Sequence, residues 1–456
     1  MKVTYITNAA VLIEHGGKKV LCDPWLTDGI YYGSWFHWPV LPADILERYK
    51  DVDYIYLSHV HPDHFDEATL RHFRKDIPIF ICEYEEKYFL RHLQRLGFTD
   101  VREMPNRSTA DLGCGLTMEV MAADDANPAL FAQVYQARMI RQPGPTRNID
   151  SLAIFHGGGK TVLNTNDVPW SMMYHYAPYI KQKYGEIHLL LVAYAGAGPY
   201  PQAYDLSDEW KRENVVQTAY SYARQTTEMV KQFRPVHYMP FAGGYVLGGR
   251  LHTLNKFKGV LERDEVPLDL EPQIKSTCIG PQLAMVPEFG TIDVDTGTID
   301  KPFVATNFSA REAYALSLRD RRYAYDDYPV LSQDVMDQKA AQAFDRLLRR
   351  QRIMGHCSPW RTYIQRTPDS WYEIPFNHTQ PAIVSEPRIV PHLRAKLDTR
   401  LLSMILDRKA NWNNAEIGSH LTLLTSDGGG KIPYEPMVFY LLPYFQGDVV
   451  PAAVTA

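Results

Sequence analysis

Cysteine is scarce in this chain: Cys22, Cys82, Cys114, Cys278 and Cys357 are the five in 456 residues, and none sits in a Cys-x-x-Cys pair. That scatter excludes a disulfide framework and a thiolate zinc site, and it fits a reducing compartment, the cytoplasm. A basic excess is also missing. With 48 Lys and Arg against 53 Asp and Glu, the net charge is −5, which leaves no electrostatic footprint for nucleic acid. No apolar run approaches the roughly 20 residues a membrane-spanning helix needs. In the opening segment MKVTYITNAAVLIEHGGKKV, Glu14 and His15 interrupt the apolar stretch too early for a signal peptide. The length suits two or three domains of about 100–200 residues each.

Strand-like and helix-like segments alternate over the first part of the chain. Val3–Ile6, Ala10–Glu14 and Lys19–Cys22 are short β-prone runs, the last two joined by HGGKK, and they read as an antiparallel meander. Tyr54–Leu57 is a further strand. Residues 66–76 have helical spacing with Asp66 as N-cap, and residues 86–97 form an amphipathic helix closed by Gly97. SLAIFHGGGKTVLNT (151–165) reads as a hairpin, and a long helix over about 214–233 precedes the strand PVHYMPF (235–241). Two β-rich layers with helices outside them predict an αββα sandwich over residues 1–264. Residues 265–335, rich in proline and acidic residues, read as a connecting or wrapping segment. Residues 336–456, with helices predicted at 336–352 and 393–408, read as a smaller α+β domain.

The stretch YLSHVHPDHFD (56–66) follows an apolar strand and contains H-x-H-x-D-H: His59, His61, Asp63 and His64. On a turn leaving a strand, side chains two residues apart converge on one ion, so His59 and His61 can share a metal while Asp63 and His64 reach a neighbouring position. Imidazole suits zinc, iron, copper or nickel, and carboxylate shifts the preference toward harder ions. A solvated loop with incidental histidines does not account for four ligand-type residues at this spacing.

A β-meander ending in LCDPWL, followed by SHVHPDH after a strand, resembles the metallo-β-lactamase superfamily. The resemblance implies the αββα sandwich, with one or two metals at the edge between its sheets. In order and wording, ITNAAVLIEHGGKKVLCDPWLTDG, YLSHVHPDHF, LNTNDVPW, RPVHYMPFAGGYV and WNNAEIGSHLTLL are similar to the metallo-β-lactamase-like part of the CMP-N-acetylneuraminate hydroxylase family. That family carries an additional Rieske iron–sulfur domain, whereas this sequence has no Cys-x-His with Cys-x-x-His pattern. Oxygen activation would then draw electrons from a separate electron-transfer protein or from the substrate.

The resemblance implies further ligands. The superfamily's bridging aspartate corresponds to Asp167 in LNTNDV. No histidine lies between His92 and His156, where the superfamily's hydrolases place one, and TMEVMAADDANP offers Asp124 instead. The last histidine of those hydrolases falls at Ala242 here; His252 in GGRLHTL is the candidate to replace it. His237 is the rival, read as a packed histidine behind the ligands. Asp23 in CDPWL is a candidate hydrogen-bond acceptor for a ligand histidine, or else a cap of the meander. Arg138, Arg141 and Arg147 are candidate partners for an anionic substrate. The aromatic loop IYYGSWFHWP (30–39) reads as a substrate lid or a domain contact.

Carboxylates in place of histidines make an oxygen-rich site that suits iron or manganese better than zinc. The leading reading is therefore a dinuclear, non-haem diiron, O2-dependent oxidoreductase acting on a small polar or anionic metabolite. The alternative is a zinc- or manganese-dependent hydrolase of a phosphoester, amide or lactone, in which the metal lowers the pKa of water and Asp63 or Asp167 orients it.

Overall fold

The structure, a computed structural model, describes residues 1–84, 87–123, 150–354, 357–388 and 391–429. Two seven-stranded sheets face each other. The first runs Gly290–Asp293, Lys2–Thr7, Ala10–His15, Lys18–Cys22, Tyr54–Leu57, Ile79–Cys82, Val101–Met104. It is antiparallel through the N-terminal meander and parallel from Lys18–Cys22 onward. The second runs Gln282–Leu283, His237–Phe241, Leu189–Ala193, Lys160–Asn164, Ser151–Gly157, Leu116–Ala122, Ser108–Gly113.

The layering follows from strand alternation. Side chains two apart share a face, so a strand buried on both faces reads as a continuous apolar run. In LLLVA (189–193), Leu189 and Leu191 join the core between the sheets, while Leu190 and Val192 join the core under the outer helices Trp170–Tyr184 and Asp208–Phe233. Ser151–Gly157 divides the same way: Ala153 and Phe155 face inward, Leu152 and Ile154 outward. On the other side Tyr88–Arg95 buries Phe89 and Leu93 against the first sheet. The architecture is the αββα sandwich.

Segment 265–335 does more than connect, since Gln282–Leu283 and Gly290–Asp293 add an edge strand to each sheet. The helix beginning after Asp66 is a single turn, Glu67–Leu70, with the Asp66 carboxylate accepting from the Ala68 and Thr69 amides. The long helix starts earlier than its spacing suggests, at Asp208, where Ser207 caps it.

The C-terminal part is a five-stranded sheet, ordered Ala382–Val384, Ser370–Pro375, Arg361–Thr367, His392–Lys396, Thr422–Thr425, packed with helix Gln333–Met354. The helix predicted over 393–408 is divided. His392–Lys396 is a central strand with Leu393 and Ala395 buried, and Thr399–Leu406 is the helix, capped by Asp398. Five residues of apolar and polar alternation fit either periodicity, and pairing on both edges decided for the strand. This sheet is pinned to the sandwich where Leu423 exchanges backbone hydrogen bonds with Ala203 and Asp205, at 2.9 and 2.8 Å. No described helix is long and apolar enough to cross a membrane.

Leu191→Ala removes a fully buried side chain from between the sheets. It is expected to cost about 2–5 kcal/mol, read as an earlier denaturant midpoint for the sandwich, while Lys19→Ala on the exposed meander stays within about 0.5 kcal/mol.

Candidate metal centre

The parallel strands of both sheets end at one edge, and the ligand-type residues leave from those ends. Tyr54–Leu57 delivers Ser58 and His59. A turn in which the His64 and Phe65 amides bond the His61 carbonyl, at 2.9 and 2.8 Å, folds His64 back beside His59. Lys160–Asn164 delivers Asp167 across the cleft. Asp150 arrives just before the Ser151–Gly157 strand.

Two groups converge. His59, His61 and Asp150 form one, with ligand atoms all within 4.8 Å of one another; His59, His64 and Asp167 form the other. His59 Nε2 lies 2.8 Å from His61 Nδ1 and 3.9 Å from Asp150 Oδ1. The two Asp167 oxygens divide between the groups: Oδ2 is 3.6 Å from His59 Nε2, and Oδ1 is 3.5 Å from His64 Nε2. Asp63 Oδ2 is 3.6 Å from the same His64 nitrogen. Two ligands on one tetrahedral ion, each about 2.0–2.2 Å from it, stand roughly 3.3–3.6 Å apart. The Asp167 and Asp63 spacings fall in that range, whereas His61 stands closer to His59, at hydrogen-bond distance, and Asp150 a little farther. His64 Nε2 is buried and faces the Asp167 and Asp63 oxygens at 3.5 and 3.6 Å, a position that a proton or an ion can share with them.

The surroundings hold each ring in place. Asp23, fully buried, accepts from the Ser58 amide (2.7 Å), the Ser58 hydroxyl (2.6 Å) and His64 Nδ1 (2.8 Å), which turns His64 Nε2 toward the carboxylates. Tyr31 donates to Asp63 Oδ1 at 2.5 Å. His61 Nε2 donates to Asn413 Oδ1 at 2.8 Å, leaving Nδ1 to face His59. Asn413 belongs to the C-terminal helix Trp412–Ile417, so the second domain reaches into the site. Asn413 also bonds the Glu416 carboxyl, which burial pushes up to about 7 against that bond.

Charge is distributed unevenly. Burial, then the neighbouring His64 and His61, hold His59 well below the usual histidine range, so the ring is neutral and keeps one unprotonated nitrogen. Burial acts the same way on His64, but Asp167, Asp63 and Asp23 together outweigh it and hold that ring well above the range. Asp167 is pushed down: burial raises it, and the His64, His59 and His61 rings more than reverse this. Burial raises Asp23 against its His64 and Ser58 donors. The Asp167 side chain keeps 38% of its surface exposed, so the cleft is open at that carboxylate.

The structure brings together His59, His61, Asp63, His64 and Asp167, with Asp23 behind them. It does not bring in His252. That ring lies in the 3-10 turn Gly249–Phe257 with Nδ1 3.0 Å from the Gly249 carbonyl, and it belongs to neither group. Nor does it bring in His237, the first residue of a parallel strand and so at the end of the sheet away from the cleft. Asp124, Arg138, Arg141 and Arg147 lie outside the described residues. Sequence reasoning missed Asp150, Tyr31 and Asn413. An acidic residue immediately before the hairpin strand was the available signal for Asp150. Asn413 lies 352 positions from His61; the stretch WNNAEIGSHLTLL marked its neighbourhood, but nothing local ties it to that ring. The aromatic loop makes the domain contact, the Tyr32 hydroxyl accepting from the Asn411 amide at 2.5 Å, and Tyr31 places the same loop on the site.

Residues 2–156 match the beta-lactamase superfamily domain. The cytidine monophosphate-N-acetylneuraminic acid hydroxylase of Xenopus laevis is 26% identical over 344 residues, covering 72% of this chain and 53% of that one. The chain spans about half the length of the curated relatives it matches. Among solved structures, the isothiocyanate hydrolase from Delia radicum gut bacteria aligns with a TM-score of 0.41 and 18% identity, over 64% of this chain and 98% of that one. CmlA, a diiron beta-hydroxylase from Streptomyces venezuelae, aligns with a TM-score of 0.40 and 17% identity, over 62% of this chain and 52% of that one.

Two outcomes are expected of the site. Asn413→Ala, which frees His61 to turn, lowers metal affinity about 10- to 100-fold in a competition titration and leaves the fold intact. Because the carboxylates hold a proton on His64 well above the usual histidine range, a metal must displace it, so apparent affinity keeps rising as the pH is raised beyond that range, with proton release on binding. A flat pH profile contradicts this.

Proposed function

We propose, for a chain whose residues 2–156 belong to the beta-lactamase superfamily, that the cleft is a dinuclear non-haem iron centre of an O2-dependent oxidoreductase acting on a small polar or anionic metabolite. The observation that carries the reading is the ligand set: three imidazoles, from His59, His61 and His64, facing three carboxylates, from Asp63, Asp150 and Asp167. Hard oxygen donors in that proportion favour iron or manganese over zinc. His59, His61 and Asp150 would hold one ion, Asp63 and His64 the other, and Asp167 would bridge them. When bound, such a pair of ferrous ions supplies the reducing chemistry by which dioxygen is activated.

The chain's own residues then do the rest. Asp23 and Asn413 fix which nitrogen of His64 and of His61 faces the ions, and Tyr31 fixes Asp63. The exposed flank of Asp167 is where a substrate reaches the centre. Arg138, Arg141 and Arg147 are the candidates to pair with its anionic group. Electrons come from a separate electron-transfer protein or from the substrate itself.

Hydrolysis is the second reading, and one observation favours it. Asp167 is held deprotonated at the open side of the cleft, where it can accept a hydrogen bond from a water and orient it. Zinc or manganese would serve there, with a phosphoester, amide or lactone as substrate.

Anaerobic loading followed by metal analysis separates the two. Iron at about two per chain with oxygen consumption supports oxidation; zinc retention with turnover of a generic phosphodiester or lactone supports hydrolysis. His61→Ala is expected to abolish either activity with little change in circular dichroism. Activity that survives this change removes the assignment.

A further inference from the structure

A second polar cavity, of about 150 Å3, lies beside the 243–245 loop and between it and the segment 303–311. Five charged residues line it: Lys258, Glu262, Arg263, Glu288 and Arg311. Four of them cancel in pairs. Arg263 bonds Glu288 at 3.2 Å, and Arg311 bonds Glu262 at 2.5 Å. Lys258 is the charge left over. It is only 8% exposed, it donates to the Tyr245 carbonyl, and its ammonium stands 4.3 Å from the Tyr245 ring centre. Among the described residues no carboxylate lies within ion-pair distance of it.

A buried ammonium beside a carbonyl and a ring keeps donors to spare, and burying such a charge without a counter-ion is costly. Burial accordingly pulls Lys258 down to about 8, with Glu262 opposing and Arg311 adding to the shift. Asn307, which caps the ten-residue helix Phe308–Ser317, also lines the cavity, and that helix has no acidic residue in its first turn. The positive end of the helix dipole therefore adds to the same field.

We propose that this cavity is a binding site for a small oxyanion, the carboxylate or phosphate group of a metabolite, with the Lys258 ammonium as its counter-charge. The proposal rests on the cavity and stands whether or not the metal reading holds. The two sites are neighbours: Tyr245 stacks on Trp35 with ring centres 3.5 Å apart, Trp35 packs on Tyr31 at 4.6 Å, and Tyr31 bonds Asp63.

The test is calorimetric titration of the full chain, stripped of metal by chelator, with inorganic phosphate and with acetate, for the native protein and Lys258→Met. Binding of phosphate tells a phosphate ligand from a carboxylate one, and binding of acetate the reverse. Either supports the site if Lys258→Met weakens it roughly ten- to a hundredfold, the worth of a charged hydrogen bond. Lys258→Met is expected to unfold no earlier than the native chain, since it removes a buried charge; a purely structural lysine would make it unfold earlier. Should that variant not fold, crystals of the native chain soaked in selenate decide, with an anomalous peak at hydrogen-bond distance from Lys258 Nζ as the supporting result. No heat with either anion and no selenate in the cavity, or binding unchanged in Lys258→Met, overturns the proposal.

Discussion

The Asp23 carboxylate is the fixed point of the metal cleft. Taking a carboxylate out of water is costly unless its oxygens are fully served, and here the Ser58 amide, the Ser58 hydroxyl and His64 Nδ1 serve them. The same three bonds tie the end of the meander to the end of the Tyr54–Leu57 strand and set the direction of His64. Everything else in the cleft is built on that orientation, because His64 Nε2 then faces Asp63 and Asp167, and Asp167 spans from there to His59. Asp23 takes up φ +45° to do this, a left-handed conformation that asparagine and aspartate tolerate better than most residues.

The C-terminal domain is a working part of this arrangement rather than an appendage. Asn413 holds His61, the Tyr31 carbonyl accepts from His420 at 2.8 Å, and Tyr31 in turn holds Asp63. Both residues next to the central His59 and His64 pair, His61 and Asp63, are thus oriented from the C-terminal domain, which adds no member to either converging group among the described residues. A change in how the two domains pack would be felt first as a rotation of His61 or a loosening of Asp63. The sandwich supplies the metal donors, and the second domain sets their geometry.

Local patterns made much of this legible before the fold was known. The meander, the Tyr54–Leu57 strand, the 151–165 hairpin and the αββα layering follow from apolar alternation and turn residues, which depend only on near neighbours. H-x-H-x-D-H is compact enough to be read as one motif. What escaped was set by distance. Asp150 becomes a neighbour of His59 only when two sheets close on each other, and Asn413 only when two domains pack. His252 belongs to neither converging group among the described residues, and His237, read as a packed histidine, starts its strand at the end away from the cleft. The strand His392–Lys396 was read as helix because five residues cannot decide a periodicity that pairing on both sides does decide.

The central claim is that this edge of the sandwich cradles a pair of iron ions between three imidazoles and three carboxylates. Diffraction data collected on either side of the iron absorption edge, from crystals of the chain loaded anaerobically with ferrous ion, test it most directly. The account predicts two anomalous peaks, one among His59, His61 and Asp150 and one among Asp63, His64 and Asp167. An iron-loaded crystal with no peak in the cleft, or with its ion held by other side chains, would contradict it.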